Sequence, residues 1–198
     1  EVKKGIRLIV EKYQLEIRLT PNQDLLLCNI GKFQRSSINN ELRAIGISTS
    51  NPQNNIARHA IACPALPLCG LAITEAERFL PKVIDRIENQ LKSLDIRQSI
   101  LLRMTGCPNG CARPYMAELA LVGSGSNHYQ LWLGGSPNLQ RLAKPFLQKM
   151  NLDHLEQTLN PLFLQWKEVS KEISFGDYIF KLDDQEIIEL LTGSFTDP

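Results

Sequence analysis

The sequence lacks several features that would assign a partner or a cofactor directly. Its 22 basic and 21 acidic residues give a net charge of only +1, so no overall field predicts binding to nucleic acid or to an acidic membrane. It has no apolar run of transmembrane length and no signal-peptide pattern. It also lacks the G-x-G-x-x-G motif that would predict a nicotinamide or flavin dinucleotide.

The sequence has no methionine at its start and opens within the amphipathic run "VKKGIRLIVEKYQLEIRLT". We therefore expect the chain to be a fragment of a longer protein. Its 198 residues suffice for one large or two small domains with a substantial core.

Cysteine is scarce and odd in number, with five residues in all. An odd count without a secretory signal argues against a disulfide framework and predicts an intracellular protein. We expect a cytoplasmic location, or the plastid stroma if the source is a photosynthetic eukaryote. Cys28 lies in the apolar run "LLLCNI" and is interpreted as a small buried hydrophobic residue.

Hydrophobic periodicity predicts an α+β protein of two units. In residues 1–50 a short helix precedes two strands (15–20 and 24–30) and a second helix (36–47), and the polar segment 48–55 is the candidate linker. In residues 51–198 Thr74 and Glu77 form a capping-box pattern that predicts the start of a helix, which Pro81 interrupts or restarts one turn later. Further predictions are strands at 99–105, 118–124, 129–135 and 175–182, a helix after Asp153 and a last helix near 183–191.

Four of the cysteines form two pairs, C-x5-C at Cys63 and Cys69 and C-x3-C at Cys107 and Cys111. The narrow pair has zinc-type spacing, but the wide pair contains two prolines and is long for a single tetrahedral ion. An iron–sulfur cluster is larger and is held by four thiolates, so it tolerates one wide loop and one tight loop. Spacing favours a cluster and leaves zinc open.

The segments "ACPALPLCGLAITEAERFLP" and "RMTGCPNGCARPYMAELALVG" resemble the C-terminal half of assimilatory, ferredoxin-type sulfite reductases. These enzymes belong to the sirohaem and [4Fe–4S] nitrite and sulfite reductase family. The resemblance implies an incomplete second ferredoxin-like half-domain over 1–50, followed by an α/β domain that binds [4Fe–4S] and sirohaem over 51–198.

The resemblance also implies roles for the cysteines. Cys63, Cys69, Cys107 and Cys111 match the four cluster ligands, and Cys111 matches the catalytic thiolate that also ligates the sirohaem iron. The implied reaction is the six-electron reduction of sulfite to sulfide, with ferredoxin as the electron donor. The alternatives are the ferredoxin-dependent nitrite reductases of the same family, and a non-catalytic metal-binding interaction domain.

Sirohaem carboxylates and sulfite both call for basic side chains. Arg58, Arg103 and Arg113 lie near the cysteine motifs and are the local candidates, although each could equally be a surface or helix-end charge. Asn109 could face the haem or simply form a turn, and Gln23 matches a cofactor-contacting segment that also reads as a turn. The resemblance places much of the basic set in a missing N-terminal half, so we expect this chain to be inactive alone.

Overall fold

The computed structural model describes residues 1–22, 24–47 and 56–193. The chain divides into two compact units, residues 1–53 and 54–198. The predicted linker, 48–55, and the candidate residue Gln23 lie outside the described residues. No helix in the described ranges is long and apolar enough to cross a membrane.

The first unit has the predicted order of helix, two strands and helix. Its elements are α1 (Val2–Tyr13), β1 (Glu16–Leu19), β2 (Leu25–Cys28) and α2 (Arg35–Ala44). The strands form an antiparallel hairpin in which Glu16 pairs with Cys28. The small core consists of Ile9, Leu15, Ile38 and Leu42. Cys28 is only partly buried, so its expected full burial was wrong.

The second unit contains a five-stranded sheet and four α-helices among its described residues. Its elements are β3 (Ile61–Ala62), α3 (Leu80–Ser93), β4 (Leu102–Thr105), a short 3-10 helix (Pro114–Met116), β5 (Leu119–Gly125), β6 (His128–Leu133), β7 (Lys144–Asn151), a second 3-10 helix (Leu152–His154), α4 (Leu155–Lys167), α5 (Phe175–Lys181) and α6 (Asp184–Gly193).

The sheet has the order β3-β4-β5-β6-β7. Strands β3, β4 and β5 are parallel neighbours, whereas β6 and β7 continue the sheet in antiparallel fashion. The segment β3–α3–β4 is therefore a crossover unit, since parallel strands require a long connection. This mixed arrangement confirms the α+β prediction.

The two faces of β4 differ in chemistry. Side chains alternate along a strand; Leu102 and Met104 belong to the main hydrophobic core, and Arg103 and Thr105 alternate with them on the other face. The core continues through β5 and β6 to α3 and α4, with Trp166, Phe163 and Phe175 in mutual aromatic contact.

Several predicted elements need correction. The strand predicted over 175–182 is α5. No helix begins at Thr74; α3 begins at Leu80, which agrees with the predicted restart at Pro81. The sequence reading also missed the short strand β3 and the edge strand β7.

Candidate metal centre at one edge of the sheet

Both cysteine loops leave the same edge of the sheet. Ala62 of β3 pairs with Met104 of β4 in parallel register, and the carboxyl ends of parallel neighbours point in one direction. Cys63 follows β3 directly, and Cys107 follows β4 after Gly106. The fold thus brings together two loops that lie far apart in sequence.

Backbone hydrogen bonds join the two loops. The Gly106 N–H points at the Cys63 Sγ at 3.3 Å, and the Cys63 N–H donates to the Met104 carbonyl at 3.3 Å. The Gly106 carbonyl accepts from the N–H groups of Ile73 and Thr74, at 2.8 and 3.2 Å. The wide C-x5-C loop therefore folds back on the start of the tight C-x3-C loop.

Gly106 is enclosed so closely that a side chain does not fit. A Cβ at this position would lie 2.6 Å from the Ala65 Cβ and 2.7 Å from the Thr74 carbonyl oxygen. On the other side, a Cβ on Gly123 would lie 2.4 Å from the Gly106 carbonyl oxygen. Close backbone approach, rather than an unusual φ, explains the glycine at both positions.

A buried hydroxyl network anchors the wide loop to the sheet. The Tyr129 hydroxyl, fully buried on β6, donates to the Glu75 carbonyl at 2.7 Å and lies 3.2 Å from the Thr74 Oγ1. The Asn127 N–H also donates to the Thr74 Oγ1, at 3.2 Å. Burial raises the pKa of Tyr129 to about 12, so the hydroxyl keeps its proton at neutral pH.

The four thiols differ in exposure. Cys63 and Cys107 are buried, Cys69 is partly buried and Cys111 is exposed. Burial raises the pKa of Cys63, and the neighbouring charges of Cys111 and Cys107 add to the rise. The Gly106 N–H opposes it by stabilising the thiolate.

The donor set matches an iron–sulfur cluster in the type of its ligands, but its thiols are not grouped closely enough in this structure to hold a metal ion. Four thiols lie on two loops that start at one sheet edge, beside the buried Ala65 and Met104, and an N–H group is directed at one sulfur. Within the described ranges, no three His, Cys, Asp or Glu side chains form a group that could hold a metal ion.

The other predicted site residues have varied positions. Arg58 and Asn109 are exposed, and Arg113 is half-buried with a left-handed backbone (φ 54°). Arg103, in contrast, is almost fully buried at 1% exposure. Their roles toward a cofactor stay predictions.

Sequence reasoning missed two residues that support the site, and a third, Glu118, that joins elements at the other end of the strands. Thr74 was interpreted as a helix cap, and Tyr129 had no assigned role. Glu118 is buried and accepts hydrogen bonds from the N–H groups of Leu101 (2.8 Å) and Gly176 (2.9 Å), which ties β5 to α5. Burial raises the pKa of Glu118. The one available signal was a lone Glu in an otherwise apolar strand pattern.

Comparisons with known proteins give consistent matches. Residues 1–45 match the family described as the nitrite/sulfite reductase ferredoxin-like half domain. The chain is 47% identical to the ferredoxin-type sulfite reductase of Synechococcus elongatus, over 90% of the chain and 29% of that protein. It is 36% identical to a sulfite reductase [NADPH] hemoprotein beta-component of Oceanobacillus iheyensis, over 89% of the chain and 31% of that protein.

Two solved structures share the fold. The NirA protein of Mycobacterium tuberculosis aligns with a TM-score of 0.76 at 20% identity, covering 94% of this chain and 36% of that chain. Dissimilatory sulfite reductase I aligns with a TM-score of 0.67 at 10% identity, covering 98% of this chain and 66% of that chain. The expectation that the chain is half of a sulfite reductase was wrong, because the matches cover only 29% and 31% of the two relatives. Over about 90% of its own length the chain is similar to proteins named sulfite reductases, and it spans about a third of the length of these curated relatives.

Proposed function

We propose that the chain is the part of a sulfite reductase that holds a [4Fe–4S] cluster and supplies the cysteine that joins it to sirohaem. The observation that carries this proposal is the convergence of both cysteine loops at one sheet edge, fixed by the parallel pairing of Ala62 with Met104. The sulfite reductase relatives support the reaction class. The motif resemblance supports a C-terminal position for this third of the enzyme.

The bound cofactors would supply one-electron transfer and an open iron position for sulfite, because six electrons are needed to form sulfide. The residues of this chain would bind these cofactors and orient them. Cys63, Cys69, Cys107 and Cys111 would hold the cluster, and the Gly106 N–H would stabilise the negative charge on the Cys63 sulfur. The exposure of Cys111 suits a thiolate that has to reach a second iron.

Metal and sulfide analysis tests the cofactor assignment. We expect the chain, purified anaerobically, to contain iron and acid-labile sulfide in about equal amounts and to show brown cluster absorption. Added sirohaem should then give haem-type bands. A colourless protein that contains zinc instead would support the non-catalytic metal-binding alternative.

The bridging assignment is tested by Cys111→Ser, with Cys28→Ser as the matched control. Cys28 lies in the hairpin of the first unit, away from both cysteine loops in sequence. We expect C111S to lose the spectroscopic coupling between cluster and haem, and C28S to keep it. Coupling that persists in C111S would assign the bridge to another residue.

We further propose that the 198-residue chain alone does not reduce sulfite, and that ferredoxin is the donor of the complete enzyme. The inactivity is supported by the coverage, because the chain spans only 29% of its ferredoxin-type relative. The choice of donor is supported by the name of that relative, a ferredoxin-type sulfite reductase. An assay with chemically reduced ferredoxin and the isolated chain should give no sulfide. Sulfide production would show that the remaining two thirds are dispensable. A parallel assay with nitrite tests the substrate preference once the complete enzyme is in hand.

A further inference from the structure

Arg103 is a buried cation in an unusual setting. It lies in the middle of β4, is 1% exposed and is among the largest fully buried side chains. Transfer of a guanidinium out of water is costly unless an opposite charge and hydrogen-bond acceptors compensate it.

The described part of the chain provides little compensation. Arg103 Nη1 donates to the Arg113 carbonyl at 2.9 Å, whereas its Nε has no hydrogen-bond partner. None of the ion pairs found within 1–22, 24–47 and 56–193 includes Arg103. The charged side chain that acts on it is another cation, Arg113. Burial, and then this repulsion, lower the pKa of Arg103 to about 10.

Two hydroxyl groups nearby in the sheet are also unpartnered. Thr105, two residues along β4, has a buried Oγ1 without a hydrogen-bond partner, and so does Ser124 with its Oγ. Thr105 pairs with Val122 of β5, and Ser124 lies two residues beyond Val122 at the β-bulge. Buried polar atoms are normally satisfied, and each exception calls for an explanation. Three of the four such side-chain atoms found in the described ranges lie on these two adjacent strands.

We propose that this face of β4 and β5 is a binding site for a carboxylate that comes from outside the described chain, with Arg103 as its charge partner. A carboxylate matches the planar guanidinium fork and can accept from hydroxyl groups as well. A trapped water could satisfy the unpaired hydrogen-bond donors, but it could not neutralise the buried charge. The Thr105 and Ser124 hydroxyls are the further donors of the site.

Two sources offer this chemistry. One is an Asp or Glu side chain from the two thirds of the enzyme that this chain does not span. The other is a carboxylate of sirohaem, and this second source rests on the proposed function. The binding site itself does not, because it is inferred from the uncompensated charge.

The first experiment removes the charge from the chain purified without haem. Arg103→Met keeps an unbranched apolar stem, and Arg97→Met is the control because Arg97 lies on the surface in an exposed pair. We expect R103M to raise the thermal midpoint by about 3 °C or more, since an uncompensated buried charge is lost, and R97M to leave it within about 1 °C. A lowered midpoint, or an R103M chain that does not fold, would show that the charge is already compensated and would overturn the proposal.

The second experiment supplies a carboxylate to the unaltered chain. Sodium acetate and sodium chloride at about 0.1 M screen charges equally, so only a specific carboxylate site distinguishes them. We expect acetate to raise the midpoint of the wild type by about 2 °C more than chloride, Arg103→Lys to retain part of this difference, and R103M to lose it. Equal midpoints in acetate and chloride for the wild type would contradict the proposal.

Sirohaem is the probe that separates the two sources. If its carboxylates occupy the site, its dissociation constant should rise about tenfold or more in R103M, and bound sirohaem should abolish the acetate effect in the wild type. Unchanged sirohaem affinity together with a persistent acetate effect would assign the site to a protein carboxylate. If the chain binds no sirohaem, the proposed function fails, but the acetate comparison still tests the Arg103 site.

Discussion

Gly106 joins the two cysteine loops through its N–H, which points at the Cys63 Sγ, and through its carbonyl, which accepts from Ile73 and Thr74. Gly106→Ala would place a Cβ 2.6 Å from the Ala65 Cβ and 2.7 Å from the Thr74 carbonyl oxygen. We expect a loss of about 1–3 kcal/mol in the free energy of unfolding, together with reduced iron content, because the loops must move apart. Denaturant unfolding and iron analysis measure the two effects.

The matched control is Gly70→Ala, in the wide cysteine loop itself. A Cβ at Gly70 meets nothing within 4 Å, so we expect a change within about 0.5 kcal/mol and normal iron content. Equal effects of the two substitutions would mean that loop packing at Gly106 does not control assembly of the site.

Tyr129 contributes one hydroxyl to the anchoring of the wide loop. Tyr129→Phe leaves the Glu75 carbonyl without its donor, and we expect a loss of about 1–2 kcal/mol. We also expect bound iron to be released faster to a chelator, because the Thr74 segment that contacts Gly106 is less firmly held.

Tyr178→Phe is the comparison for Tyr129. Its hydroxyl donates to the Gln165 Oε1 at 2.9 Å in an exposed hydrogen bond, so the loss should be small and iron release unchanged. If both variants released iron at the wild-type rate, the hydroxyl network would be structural without influence on the cysteine loops.

At the scale of elements, helices α3 and α4 are joined by a charged contact. Arg86 of α3 forms an ion pair with Glu156 of α4 and donates to the Asp153 carbonyl at 3.1 Å. The hydrogen bond from Arg86 lowers the pKa of Glu156. A lowered carboxyl pKa stabilises the folded state above the unfolded-state pKa, and this contribution disappears as the pH falls through the folded-state value.

Arg86→Met should therefore destabilise the chain at pH 7 by about 1 kcal/mol, since both side chains are partly exposed. The difference from the wild type should shrink once Glu156 is protonated, below its ordinary pKa of 4.5. Urea unfolding of the wild type and R86M at a series of pH values measures this difference in the free energy of unfolding. The Glu156→Gln variant should show a similar loss at pH 7 and little further loss on addition of R86M; fully additive losses would refute the coupling.

Elements differ in how well the sequence predicts them. Strong helical periodicity predicted α4, and alternating hydrophobicity predicted β5 and β6. The segment "FGDYIF" has strand-type composition, yet it forms α5 because the Ser174 Oγ accepts from the Asp177 N–H at 3.2 Å. This S-x-x-D capping pattern was readable in the sequence. In contrast, the Thr74 and Glu77 pattern had the right spacing, but tertiary contacts with Tyr129 and Asn127 use the Thr74 hydroxyl instead.

Other parts of the site could not be predicted from local pattern at all. β3 is two residues long and exists only because it pairs with β4. β7 contains Pro145, which argues against a strand, but the proline is tolerated because β7 is at the edge of the sheet. The burial of Arg103 likewise depends on the pairing of β4 with its neighbours and on the packing against its face of the sheet. Neither can be predicted from a short segment of sequence.

At the scale of the whole molecule, the two units differ in the size of their cores. Among its described residues, 1–22 and 24–47, the first unit buries four hydrophobic side chains, and its hairpin leaves Ile17, Leu19, Leu25 and Leu26 exposed. The second unit has a continuous core across a five-stranded sheet and its helices. Small cores with two-stranded sheets are marginal by themselves.

Hydrogen exchange on the intact 198-residue chain should reveal this difference. We expect amides of α1, β1, β2 and α2 to exchange at least about tenfold faster than those of β4, β5 and β6, because local opening costs less where little apolar surface is buried. Mass spectrometry of peptides from both units gives the rates. Equal protection would mean that the first unit gains stability from contacts beyond its own core.

Because β3 pairs with β4, the distance between the two cysteine loops does not depend on the length of the chain that connects them. The 37 residues between the cysteine pairs include α3 and its connections, yet the distance between the loops is set by the Ala62–Met104 register and the Gly106 contacts. Residues added to or removed from the connection after α3 would leave that register intact. An engineer could therefore lengthen this connection, or place a reporter domain in it, and keep both halves of the thiol set in place.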